Sequence, residues 1–148
     1  MAWGPNEACY CLEKTVNFAP EYVPGKCNIG RWGRAIRVTT GLVLIAISMV
    51  IGIAFVKPVS HLLGLGLVVP FYVGVLAILE GSMSFCVLHA ARGTYDLNEP
   101  HGFASMKSDT LKKVGSEDWK KLDQRRALRI HLEALTGAVL LALLLALT

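Results

Sequence analysis

Nineteen consecutive residues, Val38 to Val56, carry no charge, and Lys57-Pro58 closes the run. A helix rises about 1.5 Å per residue, so a stretch of this length crosses a hydrocarbon core roughly 30 Å thick. In a chain of 148 residues that one run uses up much of the freedom to fold otherwise. Composition agrees: 53% of the residues are hydrophobic and only 18% are charged, which predicts a membrane protein and not a soluble domain. The net charge of +4 comes from basic residues beside the apolar runs, without a face of interleaved aromatics. That pattern predicts positive-inside topology and excludes a nucleic-acid partner.

Lys57-Pro58 leaves room only for a tight turn, so the next apolar segment returns antiparallel to the first. His61 falls where that segment begins, as a solvated interfacial histidine or, in the sharper reading, a tetrapyrrole ligand. Farther on, Pro70 to Arg92 is too apolar for a soluble surface helix, yet it contains Glu80, Cys86 and His89. Two registers are open. A span over Val59–Leu79 leaves Glu80 at the headgroups and Ser82–Ala91 as an interfacial segment. A span over Pro70–Ala91 places Glu80 near mid-membrane, where a charge costs about 2.5 kcal/mol or more and must be neutral, paired or functional.

Residues 96–116 read as a hydrophilic loop, the soluble-looking connection of the chain. Gly115 stops one segment, and Ser116-Glu117-Asp118 supplies an N-cap with acidic residues in the first turn of the next. From 117 to 148 the pattern is continuously helical and ends in a third span. Its charge-free part, Ala134–Thr148, gives only about 22 Å of helix, so Arg129, His131 and Glu133 must snorkel or pair. Arginines before the first span and the basic loop after the second lie on one side, predicting a cytoplasmic N-terminus and an exported C-terminus.

Residues 1–26 contain three prolines and no sustained period, which predicts an extended arm. Its Trp3, Tyr10, Phe18 and Tyr22 are amphipathic anchors of the type enriched at interfaces. Cys9 and Cys11 lack the further ligands that a metal site needs, and neither a secretory leader nor a disulfide-stapled domain is indicated. Residues 27–95 then comprise an amphipathic lead-in, with Arg31, Arg34 and Arg37 at i, i+3 and i+6 and Trp32 as a belt anchor, followed by the two-helix hairpin. Gly41, Gly52 and Gly74 are small enough to admit a close neighbour, within the membrane or from another subunit. The expected fold is therefore an all-α membrane protein: three transmembrane helices, a hairpin plus a C-terminal span, with an irregular N-terminal arm.

Cys27-Asn28-Ile29-Gly30, the spaced arginines to Arg37, Gly41-Leu42-Val43-Leu44, Val69-Pro70, Gly74 and Phe85-Cys86-Val87-Leu88-His89 ahead of Gly93 together resemble the YgaP-like transmembrane domain family. Members are small two-helix domains of the bacterial inner membrane, some fused to rhodanese sulfurtransferase domains. The resemblance covers roughly residues 26–96. It departs at Val87, where the family has proline, at His89, where it has tyrosine, and in a longer gap before Cys86. It implies an inner-membrane location and a hairpin architecture; with the positive-inside reading, the C-terminus is then periplasmic. No rhodanese active-site loop accompanies it.

Three functions follow as expectations. The first is a non-catalytic accessory subunit of a larger bacterial membrane complex, energy-transducing complexes included, with other membrane subunits and the bilayer as partners. The second is redox or sulfur handling by Cys27 and Cys86, which the topology brings to one membrane face. The third is a haem or chlorophyll held by His61, His89 or His131. Triads, phosphate loops and zinc spacings are absent from the sequence, which argues against a soluble-type enzyme.

Overall fold

A computed structural model of the chain describes residues 22–56, 66–97 and 111–147. Those residues are mostly helical. Helix α1 runs Arg31–Ile51 and continues through a π turn, Gly52–Val56. Helix α2 spans Val68–Ser82 and the short α3 Val87–Arg92. Strands β1 (Thr94–Tyr95) and β2 (Lys112–Lys113) pair antiparallel, and α4 extends over Glu117–Leu147. Two of these helical stretches, Arg31–Ala54 and Glu117–Leu147, are long and apolar enough to cross a membrane; α2 is apolar but shorter. His61, the Lys57-Pro58 turn, the start of the second apolar run and the aromatics Trp3, Tyr10 and Phe18 lie outside the described residues.

The arginine-bearing lead-in is not a separate interfacial element, because Arg31, Arg34 and Arg37 occupy the first two turns of α1 itself. No residue there breaks the helical period, so nucleation of the long apolar run extends backwards through them. Polar side chains farther along bond to the helix's own carbonyls: Thr39 Oγ1 donates to Ala35 O (2.9 Å) and Ser48 Oγ to Leu44 O (2.7 Å). Pro70 stands third in α2, within the first turn, where a missing N–H leaves no intrahelical bond unmade.

Helix α2 stops at Ser82, so the register with one span over Pro70–Ala91 is wrong. The stop is a Schellman turn. Phe85 N–H donates to Glu80 O at 2.9 Å and Ser84 N–H to Gly81 O at 3.4 Å, with Ser84 left-handed at φ 55°. Glycine usually holds that position, and its absence hides the helix end from a reader of the sequence. The start of α4 is as expected: Ser116 Oγ accepts the Asp118 N–H at 3.3 Å, with Glu117 and Asp118 in the first turn. The loop expected at 96–116 is narrower than that span suggests, because β1 and β2 pinch its ends together, Thr94 opposite Lys113 and Tyr95 opposite Lys112.

Helix α2 packs against both α1 and α4. Its neighbours run parallel to each other: Asp123, near the start of α4, meets Gly25 just before α1, and Leu145, near the end of α4, meets Gly52 at the end of α1. Glycine sets the closeness of α1 to α2. A Cβ on Gly41 would lie 2.6 Å from Gly74 O, and one on Gly81 would lie 2.8 Å from Arg34 O. On the other side α4 turns an alanine stripe inward, Ala127, Ala134, Ala138 and Ala142. Ala138, Ala142 and Leu145 cover Phe71 at one end, while Ala127 and Ile130 cover Phe85 and Val87 at the other. The outer sides stay apolar and uncovered, with Leu42, Val43 and Val50 on α1 and Leu128, Leu132 and Leu140 on α4 all exposed.

Candidate functional site

Where α1 begins and α2 ends, the structure buries a knot of polar groups. Arg37 and Glu80 are 2% and 4% exposed, and Arg37 Nε lies 3.2 Å from Glu80 Oε2. A second guanidinium nitrogen of Arg37 donates to Gly33 O at 3.0 Å. The other carboxylate oxygen of Glu80 accepts the Val87 N–H at 2.8 Å, so one side chain from α2 both pairs with α1 and caps α3. The Cys86 thiol also lies in hydrogen-bond reach of that carboxylate.

The extended residues Cys27–Gly30 thread past this pair. Asn28 brackets Cys86 on both backbone groups: its Nδ2 donates to Cys86 O at 2.9 Å, and its Oδ1 accepts the Cys86 N–H at 2.6 Å. Asn28 N–H donates to Ser84 O (3.1 Å), and Asn28 O accepts the N–H of the fully buried Asp96 (3.0 Å). Next to this, Gly30 lies so near Leu97 O that a Cβ would come within 1.9 Å. His89 Nδ1 pairs with Thr94 Oγ1 at 3.1 Å, inside the same buried region. Ser84 Oγ, 1% exposed as a residue, is buried without a hydrogen-bond partner.

The end of the arm is seated on α4. Tyr22 OH donates to Asp123 Oδ2 at 2.7 Å and Gly25 N–H to Asp123 Oδ1 at 2.6 Å, while the Tyr22 ring stacks on Tyr95 with centroids 4.3 Å apart. Burial pushes the Tyr22 hydroxyl well above its ordinary range, and the Asp123 carboxylate adds to the rise.

The two cysteines expected to cooperate do not pair. Cys27 is disulfide-bonded, whereas Cys86 is a buried free thiol. Desolvation raises the Cys86 thiol above its usual range and the Glu80 charge raises it further, a setting that suppresses the nucleophilic thiolate. The histidines also stay apart in function: His89 holds Thr94, and His131 on α4 hydrogen-bonds through Nδ1 to the Tyr72 hydroxyl on α2. Among the described residues no three His, Cys, Asp or Glu side chains gather to hold a metal ion.

Glu80 sits in the last turn of α2, buried and paired with Arg37 of α1, a partner that neither register anticipated. The glycines expected at an interface, Gly41, Gly52 and Gly74, face this chain's own helices, and Tyr22 faces Tyr95 and Asp123. Sequence reading missed Asn28, Asp96 and Asp123, which are fully buried, and it left Arg37 on an interfacial surface. The one signal available for α4 was Ala134-x-x-x-Ala138-x-x-x-Ala142, small residues one turn apart. Comparison with protein-family models, curated proteins and solved structures finds no match to the chain.

Proposed function

We propose that this protein is a non-catalytic accessory subunit of a bacterial membrane assembly, held in the bilayer by α1, the segment ending in α2, and α4. The observation that carries the reading is the uncovered apolar surface on α1 and α4, two long helices with leucines and valines facing outward along their length. Such surface in water would drive aggregation, whereas lipid and the helices of neighbouring subunits match it. The buried knot supports a structural role. Its charges are paired and its backbone groups are bonded across four segments, an arrangement that fixes α1, α2 and α3 to each other and leaves the outer faces for partners. The resemblance to YgaP-like domains fits the same picture. Its Cys-Asn-Ile-Gly and Phe-Cys-Val-Leu-His stretches are the two sides of one clamp, joined through Asn28 and Cys86.

In this reading the end bearing Arg31, Arg34 and the β1–β2 loop faces the cytoplasm, by the positive-inside rule. The Cys27 disulfide favours a second reading with that end in an oxidising compartment, since cytosolic disulfides are rare. Labelling of a Ser105→Cys variant with an impermeant maleimide decides between them. Reaction only after the inner membrane is opened supports the cytoplasmic placement, and reaction in intact spheroplasts reverses it. For the subunit role, mild-detergent extraction and size-exclusion chromatography are expected to show the protein in a larger assembly. A monodisperse particle containing one 16.1 kDa chain and no companion refutes the role.

A further inference from the structure

At the arginine-rich end, α1 and the last turn of α2 leave an open groove of about 380 Å3, with Arg31, Arg34, Ala35, Thr39, Gly81 and Ser82 on its walls. The donors available inside it are unusually well defined. Thr39 Oγ1 donates to Ala35 O and Ile36 O, and Ser82 Oγ donates to Leu79 O, so both hydroxyl protons are engaged and only their lone pairs face outward. Arg34 Nε donates to Gly81 O at 3.0 Å, which ties the guanidinium to the groove wall and leaves its terminal nitrogens as further donors. Arg31, one turn earlier, is exposed and has no ion-pair partner among the described residues. The groove thus offers two guanidiniums as donors, two hydroxyl oxygens as acceptors and an apolar floor that continues down α1.

We propose that this groove is a binding site for the headgroup of an anionic phospholipid. The shared chemistry is a phosphate oxyanion, which guanidinium forks match bidentately. The lipid source is favoured over free phosphate because the apolar side of α1, with exposed Leu42 and Val43, continues from the groove and suits acyl chains. Ser82 and Thr39, able only to accept, suit a headgroup that carries hydroxyl donors, as the glycerol of phosphatidylglycerol does. The site rests on the membrane reading given above.

Native mass spectrometry of the full chain in mild detergent tests it, with dioleoyl-phosphatidylglycerol and dioleoyl-phosphatidylcholine added at equal concentration. The wild-type chain is expected to retain one phosphatidylglycerol with a preference on the order of tenfold, the worth of one or two charge-assisted hydrogen bonds. Arg31→Gln with Arg34→Gln abolishes that preference, and so does Ala35→Trp, which fills the groove while leaving both charges in place. Circular dichroism confirms that each variant is folded. An unchanged preference in either variant overturns the site: in the glutamine pair because the arginines are then uninvolved, in Ala35→Trp because charge attraction to any anionic surface then suffices. Displacement of the lipid by millimolar inorganic phosphate assigns the groove to a free oxyanion and also overturns the lipid claim. Release of the wild-type protein from membranes by alkaline carbonate defeats the membrane reading itself. Resistance to carbonate without lipid preference defeats the groove alone.

Discussion

Replacing one member of the Arg37–Glu80 pair should destabilise the protein far more than replacing both. At 3.2 Å, with an effective dielectric constant near 20, the attraction between the two charges is about 5 kcal/mol. That attraction opposes the desolvation of two groups that are 2% and 4% exposed, so the pair as a whole contributes little net stability. Arg37→Met leaves the Glu80 carboxylate buried and uncompensated, and Glu80→Leu does the same to the guanidinium. Each is expected to cost about 3–5 kcal/mol. The double variant strands no charge. Its main loss is the Val87 N–H, which Glu80 Oε1 now accepts, an orphaned buried donor worth roughly 1–3 kcal/mol. The coupling energy in the cycle therefore exceeds about 3 kcal/mol, well outside ordinary additivity error. Reversible unfolding by sodium dodecyl sulfate in mild-detergent micelles, followed by far-ultraviolet circular dichroism, measures all four proteins. Single losses that simply add in the double variant would show that the charges do not meet, and the account of the knot would fall with them.

Three further outcomes follow from the same geometry. Ser84→Gly should stabilise the chain by about 1 kcal/mol in the same assay, because glycine tolerates φ 55° and removes the buried hydroxyl that has no partner; a loss of stability refutes the Schellman assignment. Gly41→Ala should cost about 1–3 kcal/mol by forcing α1 from α2, while Gly66→Ala, with nothing within 4 Å of its added Cβ, changes stability by less than about 1 kcal/mol; equal effects at the two sites would show that α1 and α2 are not in close contact. The Tyr22 hydroxyl is raised in the folded state, so its contribution is complete below the ordinary tyrosine range and is lost as pH climbs above about 10. Limited proteolysis after residue 26 should accelerate across that range in the wild type, and Tyr22→Phe should already be labile at neutral pH with no such rise.

The long helices were legible in the sequence because an extended uncharged apolar run bounded by charges favours a helix, and α1 and α4 occupy the expected places. The cap at Ser116 was legible for a related reason: an N-cap is written in local residue types. The end of α2 was not, since its left-handed residue is serine where glycine would have announced it. The knot was illegible in a different way. Glu80 stood out as a carboxylate in an apolar run, but nothing local could tell that Arg37, forty-three positions earlier, would be buried against it. Asn28 gave no sign at all, because bracketing a backbone 58 residues away leaves no periodic trace. Likewise the glycines of α1 and α2 signalled close approach without saying whose helix would approach.

The seat of Tyr22 and Gly25 on Asp123 has a consequence for biogenesis. The partners lie 101 and 98 residues apart, whereas Arg37 and Glu80 are separated by 43. Closing the longer loop is entropically costlier, and synthesis itself orders the events: the knot can assemble as soon as Cys86 and Val87 have emerged, but the arm has no landing place until α4 begins. Tyr22 and Gly25, made before either helix of the knot, are thus secured after it. By this ordering α1 and α2 clasp before Tyr22 and Gly25 meet Asp123, and that contact marks the arrival of the final helix.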